Sequence, residues 1–459
     1  MQYNLVPSIM VHIAPFRALR YDASKVDIAK VVTQPYDKIS AEMRERYYET
    51  SQNNLVRIIR GKPEPNDNSG NNPYTRAAKF FQDWRRQGIF LQDAMPSIYV
   101  YAQRFQRPSG GTELERRGFI ALGRLEDYSA GVVYRHEQTL AKPKADRLEL
   151  LRATRAHFGQ LFMLYSDPPA EIDSLLAPNS APDLEITDEY GVLHQLWCIS
   201  EPALIALVRG KMKDKKLIIA DGHHRYETAL NYKNERRAAL RNVPRAPRPY
   251  SGSDTAVAEP DDAAPHELVM MTFINMDSPG LLILPTHRVV HGLPTFKPGD
   301  LRAKACEYFS IEEVDPAVDA KRASIILREA GRMGTALLAV TQDHVYLMDR
   351  GKYVPPSVFG ELSLRLQVLD VVQLHKCILQ SALGMSEESI RNQEHIRYVR
   401  DISDAMEQVR HKQADVAFLM NPVRMEQVRD IAFAGEVLPQ KSTDFYPKLL
   451  SGLTIYALE

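Results

Sequence analysis

Short apolar runs alternate with amphipathic stretches through the first 290 positions of the chain. Runs at 55–59, 98–105, 118–122, 161–165, 217–220 and 268–275 predict strands. Apolar positions spaced by three and four among charges predict helices over 41–50, 75–87, 144–154, 201–212 and 226–241. That alternation reads as a mixed α/β (α+β) fold.

Around "LPTFKPGD" (293–300) the pattern changes. Beyond it come a helix near 320–330, a hairpin in "TALLAVTQDHVYLMD", a long helix near 362–383, and a strand-helix-strand-helix run over 396–434. The expected organisation is therefore a larger N-terminal domain, 1–292, and a smaller C-terminal α/β domain, 293–459, docked on the first. Two stretches, 61–73 and 242–265, are dominated by Pro, Gly, Asn, Ser and Asp and hold too few large apolar groups to offset ordering entropy. The second follows a helix that begins with a polar turn, so it reads either as a lid or as a disordered insertion.

Composition narrows the class. At 459 residues and 44% hydrophobic content the chain exceeds a single core. Lys plus Arg and Asp plus Glu both number 58, leaving no net charge to drive binding to nucleic acid or an anionic membrane. The three cysteines, Cys198, Cys306 and Cys377, are far apart and fit reduced thiols. With no signal-peptide pattern and no apolar run long enough to span a bilayer, the expectation is a cytoplasmic protein that neither enters nor crosses a membrane.

The densest chemistry lies in "LIIADGHHRYETAL" (217–230). A strand that ends in Asp221-Gly222 and turns at once into a helix leaves unpaired backbone N–H groups pointing forward, with the helix dipole behind them. Such a turn suits an anion. Gly222 permits the tight turn, Arg225 offers a phosphate-matching fork, and His223 and His224 add donors. Asp221 either caps the helix or holds a Mg²⁺ brought by a nucleotide. The plainer alternative makes all of these ordinary cap, turn and surface residues, while Tyr226, Ala229 and Leu230 face the core.

A second cluster, "YRHEQTLAKPKADRLELLRAT" (134–154), places His136, Glu137 and Thr139 before Lys142, Lys144, Asp146 and Arg147. Glu137 is the favoured general base, His136 its companion, and Lys144 and Arg147 cations for phosphate; a solvated loop is the alternative. A third, "LPQKSTDFYPKLLSG" (438–452), puts Lys441 and Ser442 in a proline-bounded turn that lacks the P-loop spacing. His287, Arg288 and His291 in "PTHRVVHG" either line a cleft or end a strand, the latter being preferred. No zincin, structural-zinc, α/β-hydrolase or dinucleotide motif is present, although thirteen histidines leave a metal-dependent hydrolase open.

Together "FRALRYD", "QPYDKIS", "HEQT", "PKADRLELLRAT", "GVLHQLW", "ADGHHRYETALNY", "LLILPTHRVV" and "LPQKSTDFYPKLLSG" resemble the bacterial and archaeal family of domain of unknown function 1015, from Phe16 to about Gly452. The "DGHHR" turn is similar to the phosphate-binding turn of the ParB and sulfiredoxin superfamily, which includes free serine kinases. That resemblance implies a ParB-like nucleotide-binding core in the larger domain. It gives Asp221, Gly222, His223, His224 and Arg225 the phosphate role; Glu137 does not align with it. The resulting expectation is a nucleotide-dependent phosphotransferase acting on a small hydroxylated metabolite such as serine, using ATP or ADP, with CTP as an alternative, and Mg²⁺. A non-catalytic ParB-like nucleotide switch is the alternative from another class. No helix-turn-helix or basic face stands out for DNA, and a homo-oligomer stays open.

Overall fold

The computed structural model describes residues 10–108, 110–137, 141–241 and 264–459, side chains of 141–143 excepted. The chain divides into two compact units. The first contains everything up to Arg135, Thr139–Leu281 and Pro447–Glu459; the second contains His136–Gln138 and Leu282–Tyr446. This partition differs from a cut at 292/293: the chain changes unit at 281/282, and its last 13 residues return to the first unit.

The first unit is built on a nine-stranded mixed sheet. Its strands are β1 (Ile13–Ala14), β2 (Ile98–Phe105), β3 (Leu114–Arg124), β4 (Val133–Tyr134), β5 (Leu161–Tyr165), β6 (Leu184–Thr187), β7 (Leu193–Ile199), β8 (Leu217–Asp221) and β9 (Leu268–Asn275). They lie in the order β4-β8-β5-β9-β3-β2-β7-β6, with β1 pairing β3. One face is apolar: Val100, Phe119, Leu161, Met163, Ile219 and Met271 form a single core with Tyr226 and Ala229. Burial of this kind drives the packing of amphipathic helices onto the sheet. The longer helices are α1 (Ala41–Thr50), α2 (Pro73–Arg86), α3 (Ala141–Thr154), α4 (Pro202–Met212) and α5 (His223–Arg241).

The predicted strand at 55–59 is instead a short helix, Val56–Ile59. Its apolar, β-branched run suggests a buried strand, but the Asn54 side chain accepts from the Val56 N–H at 2.9 Å and starts a helical turn. The site-bearing strands match the prediction closely: 98–105, 161–165 and 268–275 agree end to end.

The second unit holds a six-stranded sheet in the order β12-β14-β13-β16-β11-β15. These are β11 (His287–Val290), β12 (Ser310–Val314), β13 (Ala336–Val340), β14 (Val345–Asp349), β15 (Ile396–Val399) and β16 (Val416–Met420). A separate pair joins β10 (Leu282–Leu284) to β17 (Asp444–Tyr446). Its helices include α6 (Ala320–Ala330), α7 (Ile402–Arg410) and α8 (Met425–Phe433). The long helix expected at 362–383 is broken into turns Leu364–Gln367 and Asp370–Gln373 and a π-helical stretch Leu374–Ala382. Ser363 caps the first of these with its side chain, marking a helix start where the apolar spacing runs on. All three cysteines are free thiols. No helix among the described residues is long and apolar enough to cross a membrane.

Candidate active site at the Asp221 turn

Strand β8 carries the turn. Leu217, Ile218, Ile219 and Ala220 are buried, and the pairing with β5 slips between Ile219 and Asp221. A bulge of this kind re-aims the following side chain. Gly222 then adopts φ +97, and helix α5 starts at His223. A Cβ at position 222 would lie 2.9 Å from Leu161 Cδ2 and 3.1 Å from an Arg225 nitrogen, so the position needs glycine for both its φ and its space. Tyr226 is fully buried, and its hydroxyl donates to the Glu126 carbonyl at 2.6 Å, which fixes the rotation of the helix. His223 is buried and His224 half-buried on the first turn.

Asp221 sits among cations. Its Oδ2 accepts from Arg225 Nη2 at 2.9 Å and its Oδ1 from Lys448 Nζ at 3.1 Å. Burial alone would raise the Asp221 carboxyl, but the charges of Lys448, Arg225 and Lys38 outweigh it and hold the group far below the usual carboxylate range. Arg225 is anchored a second time: Nη1 donates to the Gln160 carbonyl at 2.6 Å. A Cβ at Gly159 would stand 3.2 Å from that nitrogen and 2.9 Å from Ser451 Oγ, so the backbone at 159 closes over both groups.

Beside Arg225 lies a pocket that is open to solvent. Tyr36, Arg147, His157, Arg225, Thr228 and Ser451 form its polar part; Ile59, Leu150, Leu151, Phe158, Leu161 and Val269 form its apolar wall. Arg147 lies over the Tyr36 ring at 4.1 Å, donates to the Ile59 carbonyl at 2.8 Å and pairs with Asp146. Burial pushes the Tyr36 hydroxyl up to about 12, with Asp37 adding to it while Arg147 and Arg225 pull it down. Burial, then the Arg225 charge, lowers His157 to about 4, so its ring is neutral near pH 7. Lys144 pairs with Glu227, linking α3 to α5.

The remaining candidates fall in the second unit. His136 is fully buried and its Nε2 lies 2.7 Å from Thr443 Oγ1. Glu137 Oε1 accepts the Lys441 N–H at 2.7 Å, where Lys441 takes the left-handed φ of +58. The Ser442 hydroxyl donates to the Pro439 carbonyl. Arg288, on β11, is buried and donates to the Lys441 carbonyl at 3.1 Å, and His287 is buried beside it in the strand. His287 and Arg288 are thus the first residues of β11, and His291 follows its last residue, Val290. Thr139 and the segment 242–263 lie outside the described residues, and so does the Lys142 side chain.

Sequence reasoning overlooked Tyr36, His157, Lys448 and Ser451. Tyr36 lies in "QPYDKIS" and Lys448 and Ser451 in "LPQKSTDFYPKLLSG", both already singled out, but attention in the latter fell on Lys441 and Ser442. Among the described residues no group of three or more His, Cys, Asp or Glu side chains is placed to hold a metal ion.

The family model for a protein of unknown function, DUF1015, matches residues 13–372. The chain belongs to the DUF1015 family. Comparison with curated proteins gives no match. Among solved structures, free serine kinase in complex with AMP is similar at 14% identity, covering 70% of this chain and 88% of that one, with a TM-score of 0.34. A conserved hypothetical protein from Pyrococcus furiosus is similar at 12% identity over 70% of this chain and 90% of that one, TM-score 0.34. SbnI from Staphylococcus aureus is similar at 10% identity over 73% and 87%, TM-score 0.30. Likeness at this level transfers neither residues nor ligands to the DUF1015 chain.

Proposed function

We propose that this DUF1015 protein is a nucleotide-dependent phosphotransferase whose phosphate seat is the Asp221–Arg225 turn. The observation that carries the reading is the pocket's mixed lining: Arg147 and Arg225 line it together with Leu150, Leu151, Phe158 and Val269. A molecule that suits both has a charged phosphate end and a flat, weakly polar end, which describes a nucleotide. The first-turn N–H groups of α5 and the Arg225 fork receive the phosphates, and Leu150, Leu151, Phe158 and Val269 pack the base.

In phosphoryl transfer most of the rate comes from positioning and charge neutralisation, which fixed guanidiniums and helix N–H groups provide without reorganising. Neutral His157 leaves the positive charge of the pocket to the arginines. ATP, ADP and CTP are all candidates for the donor, and the acceptor is a small hydroxylated metabolite. A divalent ion accompanying the nucleotide would neutralise phosphate charge. For Asp221 to bind one, it would have to release Lys448 or Arg225, because both of its oxygens already face cations.

Incubating the protein with ATP, ADP or CTP and a pool of hydroxylated metabolites, followed by phosphorus NMR, tests the proposal. A new phosphomonoester resonance supports it. Nucleotide-dependent stabilisation without product points instead to a binding switch, and the absence of both overturns the reading.

A further inference from the structure

We propose that the hydroxyls of Tyr36 and Ser451 hold the ribose diol of the nucleotide, so that this pocket selects ribonucleotides over nucleotides that lack those sugar hydroxyls. The inference rests on the nucleotide reading of the pocket and adds to it the sugar and the two residues that recognise it.

Both arginines of the pocket are already hydrogen-bonded within the protein: Arg225 to the Gln160 carbonyl and Asp221, Arg147 to the Ile59 carbonyl and Asp146. The hydroxyls of Tyr36 and Ser451 are not. Tyr36 is 9% exposed and Ser451 4%, both line the pocket, and neither hydroxyl has a hydrogen-bond partner among the described residues. Leaving such a group unsatisfied costs stability, so it marks a place where a bound molecule supplies the contact. In an open pocket water meets that need until a ligand replaces it.

The main chain fixes where both residues stand. Thr33 and Ser451 exchange both backbone hydrogen bonds, at 3.2 and 2.8 Å, and the Gly452 N–H donates to the Phe158 carbonyl at 3.0 Å. Ser451 Oγ is thereby brought beside Arg225, since the Cβ position of Gly159 lies 2.9 Å from that oxygen and 3.2 Å from Arg225 Nη1. Tyr36 begins the short turn Tyr36–Lys38, soon after Thr33, and Arg147 covers its ring at 4.1 Å.

The chemistry of the two groups favours a diol over a phosphate. An ionised phosphate offers acceptors alone, which suit guanidinium and backbone N–H donors and would leave the acceptor side of each hydroxyl unused. A sugar hydroxyl both donates and accepts, as serine and tyrosine hydroxyls do. His157, neutral near pH 7, adds no charge to this part of the lining. In a nucleotide the ribose links phosphate to base, and Tyr36 and Ser451 line the same pocket as Arg225 and the apolar side chains.

Calorimetric titration of the full chain with ADP and its dideoxy analogue, which lacks both ribose hydroxyls, tests this. The wild-type protein is expected to bind ADP about tenfold more tightly than the analogue, the usual size of one or two lost hydrogen bonds. Y36F and S451A, each checked for folding by thermal melting, should weaken ADP binding several-fold and leave the analogue unchanged, so that the preference shrinks. Y36F keeps the ring beneath Arg147 and S451A removes a single atom, so a merely structural role would move both nucleotides together. If one variant does not fold, the other carries the test. Equal binding of the two nucleotides by the wild type, equal losses for both in the variants, or no loss at all overturns the role of the hydroxyls. A wild-type protein that binds neither nucleotide overturns the underlying nucleotide reading instead.

Discussion

Arg225 Nη1 donates to the Gln160 carbonyl 2.6 Å away, joining the first turn of α5 to the residue just ahead of β5. One guanidinium thus serves the carbonyl of buried Gln160 and a half-buried carboxylate together. R225A leaves the Gln160 carbonyl without its partner and takes one of two cations from Asp221, and is expected to cost about 2 kcal/mol of stability, in the range for a lost charge-assisted contact. Nucleotide affinity should fall with it. R225K keeps the charge but not the fork, and should recover little of either. Urea unfolding and calorimetric titration measure the two effects.

Two glycines near Arg225 should fail in different ways. G222A forces a side chain into φ +97 and against Leu161, and is expected to destabilise by about 1–3 kcal/mol. Gly159 does not need a left-handed conformation, but its new methyl would press on Ser451 Oγ and Arg225 Nη1. G159A should keep most of its stability and lose nucleotide affinity. An unchanged affinity in G159A would separate Arg225 from ligand binding.

Acid should loosen the first unit through His157. Its pKa is near 6.5 unfolded and about 4 folded, so between those values the unfolded chain binds more protons. Stability is then full above pH 6.5, declines as the pH falls toward 4, and levels off below. The limiting slope is about 1.4 kcal/mol per pH unit for one histidine, reduced here because the ring is only half-buried. H157Q, which cannot titrate, should flatten that part of the denaturation-midpoint profile. A steeper decline in H157Q would contradict the assignment.

From the sequence, Glu137 is the candidate general base, and E137Q tests that expectation with little structural damage. The amide keeps an oxygen to accept the Lys441 N–H, which the carboxylate accepts at 2.7 Å. Turnover should be lost while nucleotide binding persists. Unchanged turnover removes Glu137 from the mechanism.

The elements that build the site were legible because their periodicity is strong. Strand 161–165 and the run into Asp221-Gly222 could be read from apolar runs and one glycine. Helix α5 begins three residues before the predicted start at 226, since charged and imidazole side chains carry no apolar rhythm even where the backbone is already helical. What the sequence hid was long-range: Lys448 meets Asp221 across 227 positions, and nothing local marks which of the two lysines in one quoted motif goes there. Arg147 was flagged for phosphate, but its stacking on Tyr36 depends on tertiary packing that composition does not encode.

The return of residues 447–459 to the first unit sets an order on biosynthesis. Tyr456 and Ala457 pair with His157 and Ala156, and Glu459 pairs with Arg85. The pocket wall that includes His157 and Ser451 therefore closes only after the whole second unit has been translated. Until then the first unit lacks the strand partner of 156–157 and the part of the pocket wall that Ser451 supplies.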